Sequence, residues 1–230
     1  MRIGIIGIGR MGRVLAVKLA EVAELTLYDV NTDRLAKVAA ATGAKVGASL
    51  EEAALGDAVI LALPDREVID CLKDFNQIRR SPITVINVAT NVAQSVLEHT
   101  AAPHVHCISA KFISQAGEMA AGARPVIIVH DTPEELVPLA TEIFSHVGDV
   151  LTGNSDVVTT INTVAAEKAI EAAVLIEESL RMKGFSNPAI AKSAVGQVAA
   201  GIVKAYATDN LGPFAREIVY SVKKKLHPGR

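Results

Sequence analysis

The stretch Gly7-Ile8-Gly9-Arg10-Met11-Gly12 has the spacing G-x-G-x-x-G and follows directly on the apolar run 3–6. The residues after it have a helical pattern, with apolar side chains at positions 14, 15, 17 and 19. Asp29 ends the next apolar run, about 20 residues further on. A lone glycine motif is weak evidence. Strand, glycine turn, helix, second strand and acid together form a dinucleotide-binding fingerprint.

Each glycine of this motif has a physical task. Gly7 permits the tight turn out of the strand, Gly9 leaves room for a pyrophosphate, and Gly12 lets the helix pack closely on the sheet. Free N–H groups and the helix dipole then stabilise the phosphate charge. We therefore expect a dinucleotide to contact the whole motif: Gly7, Ile8, Gly9, Arg10, Met11 and Gly12.

The end of the second strand predicts the choice of cofactor. A carboxylate at Asp29 can accept hydrogen bonds from both ribose hydroxyls and would repel a 2′-phosphate. Asn31 and Arg34 follow Asp29 closely, and the positive charge of Arg34 would favour the 2′-phosphate of NADP(H). The pattern predicts that NAD(H) is favoured over NADP(H).

Composition excludes several classes of protein. The 230 residues are 50% hydrophobic and carry a formal net charge of −2, which argues against nucleic acid as the main partner. No apolar run is long enough for a membrane span, and the chain enters a strand without a signal sequence. Cys71 and Cys107 are far apart and have no metal-ligand spacing, and the histidines form no metal-binding pattern. We expect a cytoplasmic protein without membrane, nucleic-acid or metal partners.

Residues 1–153 alternate between apolar strands and helical patterns. Further strands are expected at 58–63, 83–88, 104–109, 125–129 and 149–151. Such β–α alternation predicts an α/β fold with a doubly wound parallel Rossmann sheet.

Residues 154–230 have no strand pattern. They predict three helices, over 157–183, 188–207 and 213–226, and the second of these is rich in alanine and glycine. So short an all-α segment is marginal for a core of its own. We expect a smaller all-α C-terminal domain that forms a homodimer with a second copy.

The chain resembles the pyrroline-5-carboxylate reductase family, which belongs to the short Rossmann NAD(P)-dependent dehydrogenases with an all-helical C-terminal dimerisation domain. The motif 7–12, the strands at 58–64 and 84–89, and Gly117-Glu118 are similar to the family's motifs. The resemblance implies an oxidoreductase that reduces a small imine or imino acid. It also implies further cofactor contacts at the ends of two strands, by Leu63, Pro64, Asn87, Ala89 and Thr90.

Two departures from the family pattern suggest the catalytic residues. Lys111 stands where the family has asparagine, and we expect it on a loop just past a strand end. Glu171 stands where the family has threonine, with Glu167 one helical turn before it. A lysine suits a carboxylate or phosphate, and a glutamate suits an amine or iminium. Together they predict an amino-acid or imino-acid substrate. The alternative is a surface lysine and a solvated helix face.

Three other functions remain open. The chain also resembles β-hydroxyacid dehydrogenases, which oxidise alcohols. If Asn162 is their asparagine, however, Val158 stands where they place a catalytic lysine. Deazaflavin-linked NADP reductases have a similar length but a different glycine loop. A dinucleotide-sensing subunit would bind NADH without turnover.

Overall fold

The computed structural model describes residues 1–78 and 82–227. Its strands are β1 (Arg2–Ile6), β2 (Glu24–Tyr28), β3 (Lys45–Val46), β4 (Ala58–Leu61), β5 (Ile83–Asn87), β6 (Val105–Ile113), β7 (Val126–His130) and β8 (Asp149–Gly153). Its α-helices are α1 (Arg10–Leu19), α2 (Thr32–Thr42), α3 (Leu50–Ala53), α4 (Asp65–Gln77), α5 (Gln94–Thr100), α6 (Ala116–Ala120), α7 (Val137–Ser145), α8 (Val157–Met182), α9 (Pro188–Ser193), α10 (Ala200–Ala207) and α11 (Pro213–Leu226). A π-helical segment, Ala194–Ala199, joins α9 to α10.

The strands form one sheet in the order β3-β2-β1-β4-β5-β6-β7-β8. The expected α/β class and Rossmann-like topology are confirmed, and the sheet differs from the predicted parallel one at one strand pair. β7 runs antiparallel to β6, with Ala110 opposite Val129 and Ile113 opposite Val126. The reason is the length of β6, which continues to Ile113 rather than ending at Ser109. The segment 114–125 before β7 holds only the 5-residue α6, which is too short to carry the chain back along β6 for a parallel pairing.

Local sequence signals explain where the helices begin. Asn31 caps α2 by accepting a hydrogen bond from the Arg34 backbone N–H, and Ser49 caps α3 in the same way for Glu52. The central strands are buried on both faces, because α1, α2 and α7 cover one side of the sheet and α4 and α5 cover the other. This packing fixes the carboxyl ends of β1, β4 and β5 as one rigid edge.

The chain divides into two compact units, Met1–Thr163 and Val164–Arg230. The division therefore lies inside α8, whereas the sequence places it after residue 153. The first two turns of α8 belong to the sheet-containing unit. Val158 is fully buried there, Thr159 Oγ1 donates to the Thr90 carbonyl at 2.7 Å, and Asn162 Nδ2 donates to the Phe112 carbonyl at 2.9 Å.

The second unit has almost no interior of its own. Among its described residues, 164–227, none is buried. Large apolar side chains are instead exposed, among them Ile170 (66%), Val203 (66%), Phe214 (75%) and Tyr220 (69%). Such exposure is unusual for a soluble helical unit. No helix among the described residues has the length and apolar content that crossing a bilayer requires.

Candidate functional site

The glycine motif forms a tight turn between β1 and α1. Gly7 has φ of +90°, a conformation that favours glycine, and its N–H donates to the Tyr28 carbonyl at 2.9 Å. A Cβ at Gly12 would lie 1.9 Å from the Gly7 carbonyl oxygen, so the close packing of α1 requires glycine there. A Cβ at Gly9 would meet no atom within 4 Å. The backbone at Gly9 is therefore open to an approaching group.

The open face of Gly9 coincides with the start of α1. Gly9 is the N-cap residue and supplies no side-chain cap to the first turn. Unpaired N–H groups and the positive end of the helix dipole suit an anion such as a pyrophosphate. The residues of the turn therefore fit the dinucleotide that the sequence predicts.

Asp29, directly after β2, stabilises this turn through hydrogen bonds. Its Oδ2 accepts the Ile8 backbone N–H at 2.5 Å, and its Oδ1 accepts the Asn31 backbone N–H at 2.7 Å. Each carboxylate oxygen keeps one further acceptor position. Nη1 of Arg34 lies 3.8 Å from Oδ2. Asp29 can therefore accept from a ribose as predicted, but the Ile8 N–H is already used within the protein.

A cleft of about 660 Å³ opens beside these groups. It lies at the carboxyl ends of β1 and β4, where the strand order reverses and open α/β sheets bind their ligands. Its lining includes Gly7, Gly9, Asp29, Asn31, Arg34, Leu63 and Pro64 among the predicted cofactor residues. Arg10 does not line this cleft. The acids Glu67, Asp70 and Asp74 also line it, which makes its wall unfavourable for additional phosphate charge.

The end of β5 forms the neighbouring part of the edge. Asn87 is fully buried, and its Oδ1 accepts the Ala89 backbone N–H at 3.0 Å. Its Nδ2 lies 3.4 Å from Ser109 Oγ on β6. The Asn87 side chain therefore shapes the turn 87–90, while Thr90 is partly exposed and its carbonyl accepts from Thr159.

Lys111 is not on a loop, and that expectation is wrong. It lies inside β6, its side chain is 1% exposed, and its Nζ is 2.6 Å from Asp156 Oδ1. Both Asp156 oxygens also lie 3.3 Å from the Gln94 backbone N–H at the start of α5. An ammonium group buried in this way is paired inside the protein. Lys111 therefore fixes the segment that leads into α8.

Glu167 and Glu171 lie on exposed positions of α8, in the second unit. Lys168 Nζ donates to Glu171 Oε2 at 2.7 Å, which offsets the like charge of Glu167 one turn away. The same hydrogen bond lowers the pKa of the Glu171 carboxyl. Glu171 is therefore ionised at neutral pH and is a poor proton donor as it stands.

Sequence reasoning missed Asp156 and Gln94. Gln94 is 2% exposed, and its Nε2 donates to the Cys107 carbonyl and to Glu98. Asp156 follows Asn154 and Ser155 at the head of α8, where short polar residues are typical of a helix start. That signal locates Asp156 at a helix end, but it does not identify Lys111 as its partner.

The comparisons with known proteins agree with this geometry. Residues 2–100, less than half of the chain, match the family model described as NADP oxidoreductase coenzyme F420-dependent. No curated protein gives a significant sequence match.

Solved structures are similar over much more of the chain. A pyrroline-5-carboxylate reductase from Coxiella burnetii is 17% identical with a TM-score of 0.66, covering 96% of this chain and 84% of its own. An imine reductase from Streptomyces aurantiacus is 15% identical with a TM-score of 0.64, covering 93% and 80%. The 3-hydroxyisobutyrate dehydrogenase of Mycobacterium tuberculosis is 21% identical with a TM-score of 0.60, covering 85% and 70%. At these identities the similarity shows the fold alone, a Rossmann-like sheet followed by C-terminal helices.

Proposed function

We propose that the protein is an NAD(P)-dependent oxidoreductase that reduces a small imine or imino acid. The observation that carries the proposal is the open backbone of Gly9 at the start of α1, beside a 660 Å³ cleft that Asp29 also lines. This arrangement supports a pyrophosphate at the start of α1 and a ribose at Asp29. When bound, the nicotinamide supplies the hydride, and the protein holds the substrate against it.

The shape of the sheet edge supports the remaining proposed cofactor contacts. Leu63 and Pro64 end the β4 segment beside the cleft, and the turn 87–90 ends β5 next to it. The nicotinamide end of the cofactor would lie along these two turns. Arg10 and Met11 would contribute backbone N–H groups of the first helical turn rather than their side chains.

A direct role of Lys111 in catalysis stays a prediction, and its burial favours an indirect one. Through Asp156 it holds the first two turns of α8, whose Thr159 and Asn162 side chains donate to the carbonyls of Thr90 and Phe112. We propose Lys111 as a positioning residue for the site. Glu167 and Glu171 stay candidates for contact with a cationic substrate, in which the ionised carboxylate orients an iminium.

The tail also supports a homodimer as the working form. Its described residues include no buried side chain, and its three helical segments expose large apolar groups. A second copy of the same tail supplies a matching apolar surface, and symmetric pairing is the commonest way to cover one. The C-terminal helices would then be the dimer interface.

Steady-state oxidation of NADH with a panel of cyclic imines, including imino acids, tests the proposed activity. We expect turnover with at least one member. A protein that binds NADH but turns over no imine contradicts the proposal and favours a sensing subunit.

The family model favours a second candidate, a deazaflavin-linked NADP reductase. Turnover of NADP⁺ with a reduced deazaflavin, without turnover of imines, would establish it instead.

A further inference from the structure

A cavity of about 530 Å³ lies between α1 and α6, within the sheet-containing unit. This α1–α6 cavity shares no lining residue with the cofactor cleft. Its volume is in the range of small-molecule sites. It is therefore a separate feature of the same helix that begins at the glycine motif.

Three cations line the α1–α6 cavity: Arg10, Arg13 and Lys18. All three project from one face of α1, since their positions fall within about 140° of each other on a helical wheel. None of them makes a side-chain hydrogen bond or ion pair with a described residue, and no carboxylate is among the described lining groups. Three like charges without partners create a positive potential that attracts an anion.

The floor of the cavity is apolar. Val14 and Val17 lie between the cations on α1, and Met119 of α6 closes the opposite side. Val17 is 58% exposed, although it sits in a concave surface. An occupant that covers it needs an apolar body as well as a negative charge.

We propose that the α1–α6 cavity binds an organic anion with an apolar body, such as a carboxylate on a short aliphatic chain. The carboxylate pairs with Arg13 and Lys18, and the chain lies on Val14, Val17 and Met119. A guanidinium offers a bidentate partner for a carboxylate. Because the α1–α6 cavity and the cofactor cleft share no lining residue, this ligand can be held while a dinucleotide occupies the cleft.

The test uses the full chain, saturated with NADH, with labelled methyl groups observed by NMR. Octanoate should shift the methyls of Val14, Val17 and Met119. Octanol, which has the same chain without the charge, and acetate, which has the charge without the chain, should each bind at least about tenfold more weakly. Raising the salt concentration should weaken octanoate binding, because the cations are partly exposed.

Variants separate this site from general charge attraction. Arg13→Gln and Lys18→Gln should each weaken octanoate binding about threefold or more. Lys37→Gln makes the same change of charge on the exposed face of α2 and should leave binding unchanged. The proposal is overturned by equal binding of octanol or by equal weakening in Lys37→Gln. It is also overturned if the methyl shifts are confined to other residues or are absent up to the solubility limit. Octanoate binding that is seen without NADH and lost when NADH is added would overturn it as well.

Discussion

Lys111 Nζ lies 2.6 Å from Asp156 Oδ1, and this contact joins the carboxyl-terminal part of β6 to the head of α8. The two partners are unequally buried, with the lysine side chain 1% exposed and the aspartate 33% exposed. Removing the partner of a buried ammonium destabilises the folded state far more than removing the partner of a carboxylate that is one-third exposed. The consequences of breaking the pair should therefore differ between its two ends.

The first prediction is that Asp156→Ala lowers the free energy of unfolding by roughly 3 kcal/mol, because it leaves Lys111 charged, buried and unpaired. Lys111→Met keeps the volume and removes the charge, so it should cost less. The double variant should be more stable than Asp156→Ala alone. Urea unfolding of the three variants measures this. Wild-type stability for Asp156→Ala would show that the pair is not structural.

This pair also marks the limit of what the sequence predicts. The glycine turn and the Asn31 cap follow from short-range rules, and the structure has both of them. Lys111 interrupts an otherwise apolar stretch, and a charged residue there suggests the end of a strand. Only a partner 45 positions away makes its burial possible. No local pattern contains that information, so the sequence predicts the end of β6 too early and does not indicate that β7 runs antiparallel to it.

The second prediction concerns the glycine turn. Gly9→Val places a side chain where the protein leaves open space, at a φ of −71°, outside the left-handed region. The variant should fold normally and lose NADH affinity by about tenfold or more, because the side chain occupies the approach to the helix start. Gly153→Val is the control, since a Cβ at Gly153 also meets no atom within 4 Å and lies on β8. Calorimetric titration with NADH compares them, and unchanged affinity in Gly9→Val would place the cofactor elsewhere.

The third prediction is that wild-type protein prefers NADH over NADPH at least about tenfold, which corresponds to about 1.4 kcal/mol. The Asp29 carboxylate and the acids of the cleft wall repel a 2′-phosphate. Arg34→Ala should leave NADH binding nearly unchanged, because the guanidinium is 3.8 Å from Asp29 and 43% exposed. Equal or tighter NADPH binding by the wild type, measured by titration, contradicts the assignment. A loss of that binding in Arg34→Ala would then identify the arginine as the phosphate contact.

The fourth prediction follows from the two cysteines. Burial raises the pKa of the Cys71 thiol to about 12, and it raises the pKa of the Cys107 thiol to about 12 as well. Both should resist a thiol reagent at neutral pH and react only after denaturation. The unfolded chain releases these protons near pH 9, its ordinary value, whereas the native state retains them up to about pH 12.

Stability should therefore fall as the pH rises above 9, by up to about 1.4 kcal/mol per pH unit for each thiol. The Cys71→Ala/Cys107→Ala variant should lose this part of the alkaline dependence. Urea unfolding between pH 8 and pH 11 compares it with the wild type. Identical slopes would mean that the thiols are accessible in the native state.

The last prediction concerns the tail. Full-length protein should sediment as a dimer at micromolar concentration, because the apolar groups exposed on 164–227 need a partner. A Cβ at Gly201 meets no atom within 4 Å in the single chain, so Gly201→Leu should weaken only association. A chain ending at Thr163 should fold as a monomer, since it keeps Asp156, Val158 and Asn162.

A chain ending at Gly153 lacks these three residues and their contacts with the sheet-containing unit. It should therefore be less stable than the chain ending at Thr163 by roughly 3 kcal/mol. A full-length monomer that still turns over substrate would refute the dimer, and equal stability of the two shortened chains would place the end of the sheet-containing unit at Gly153.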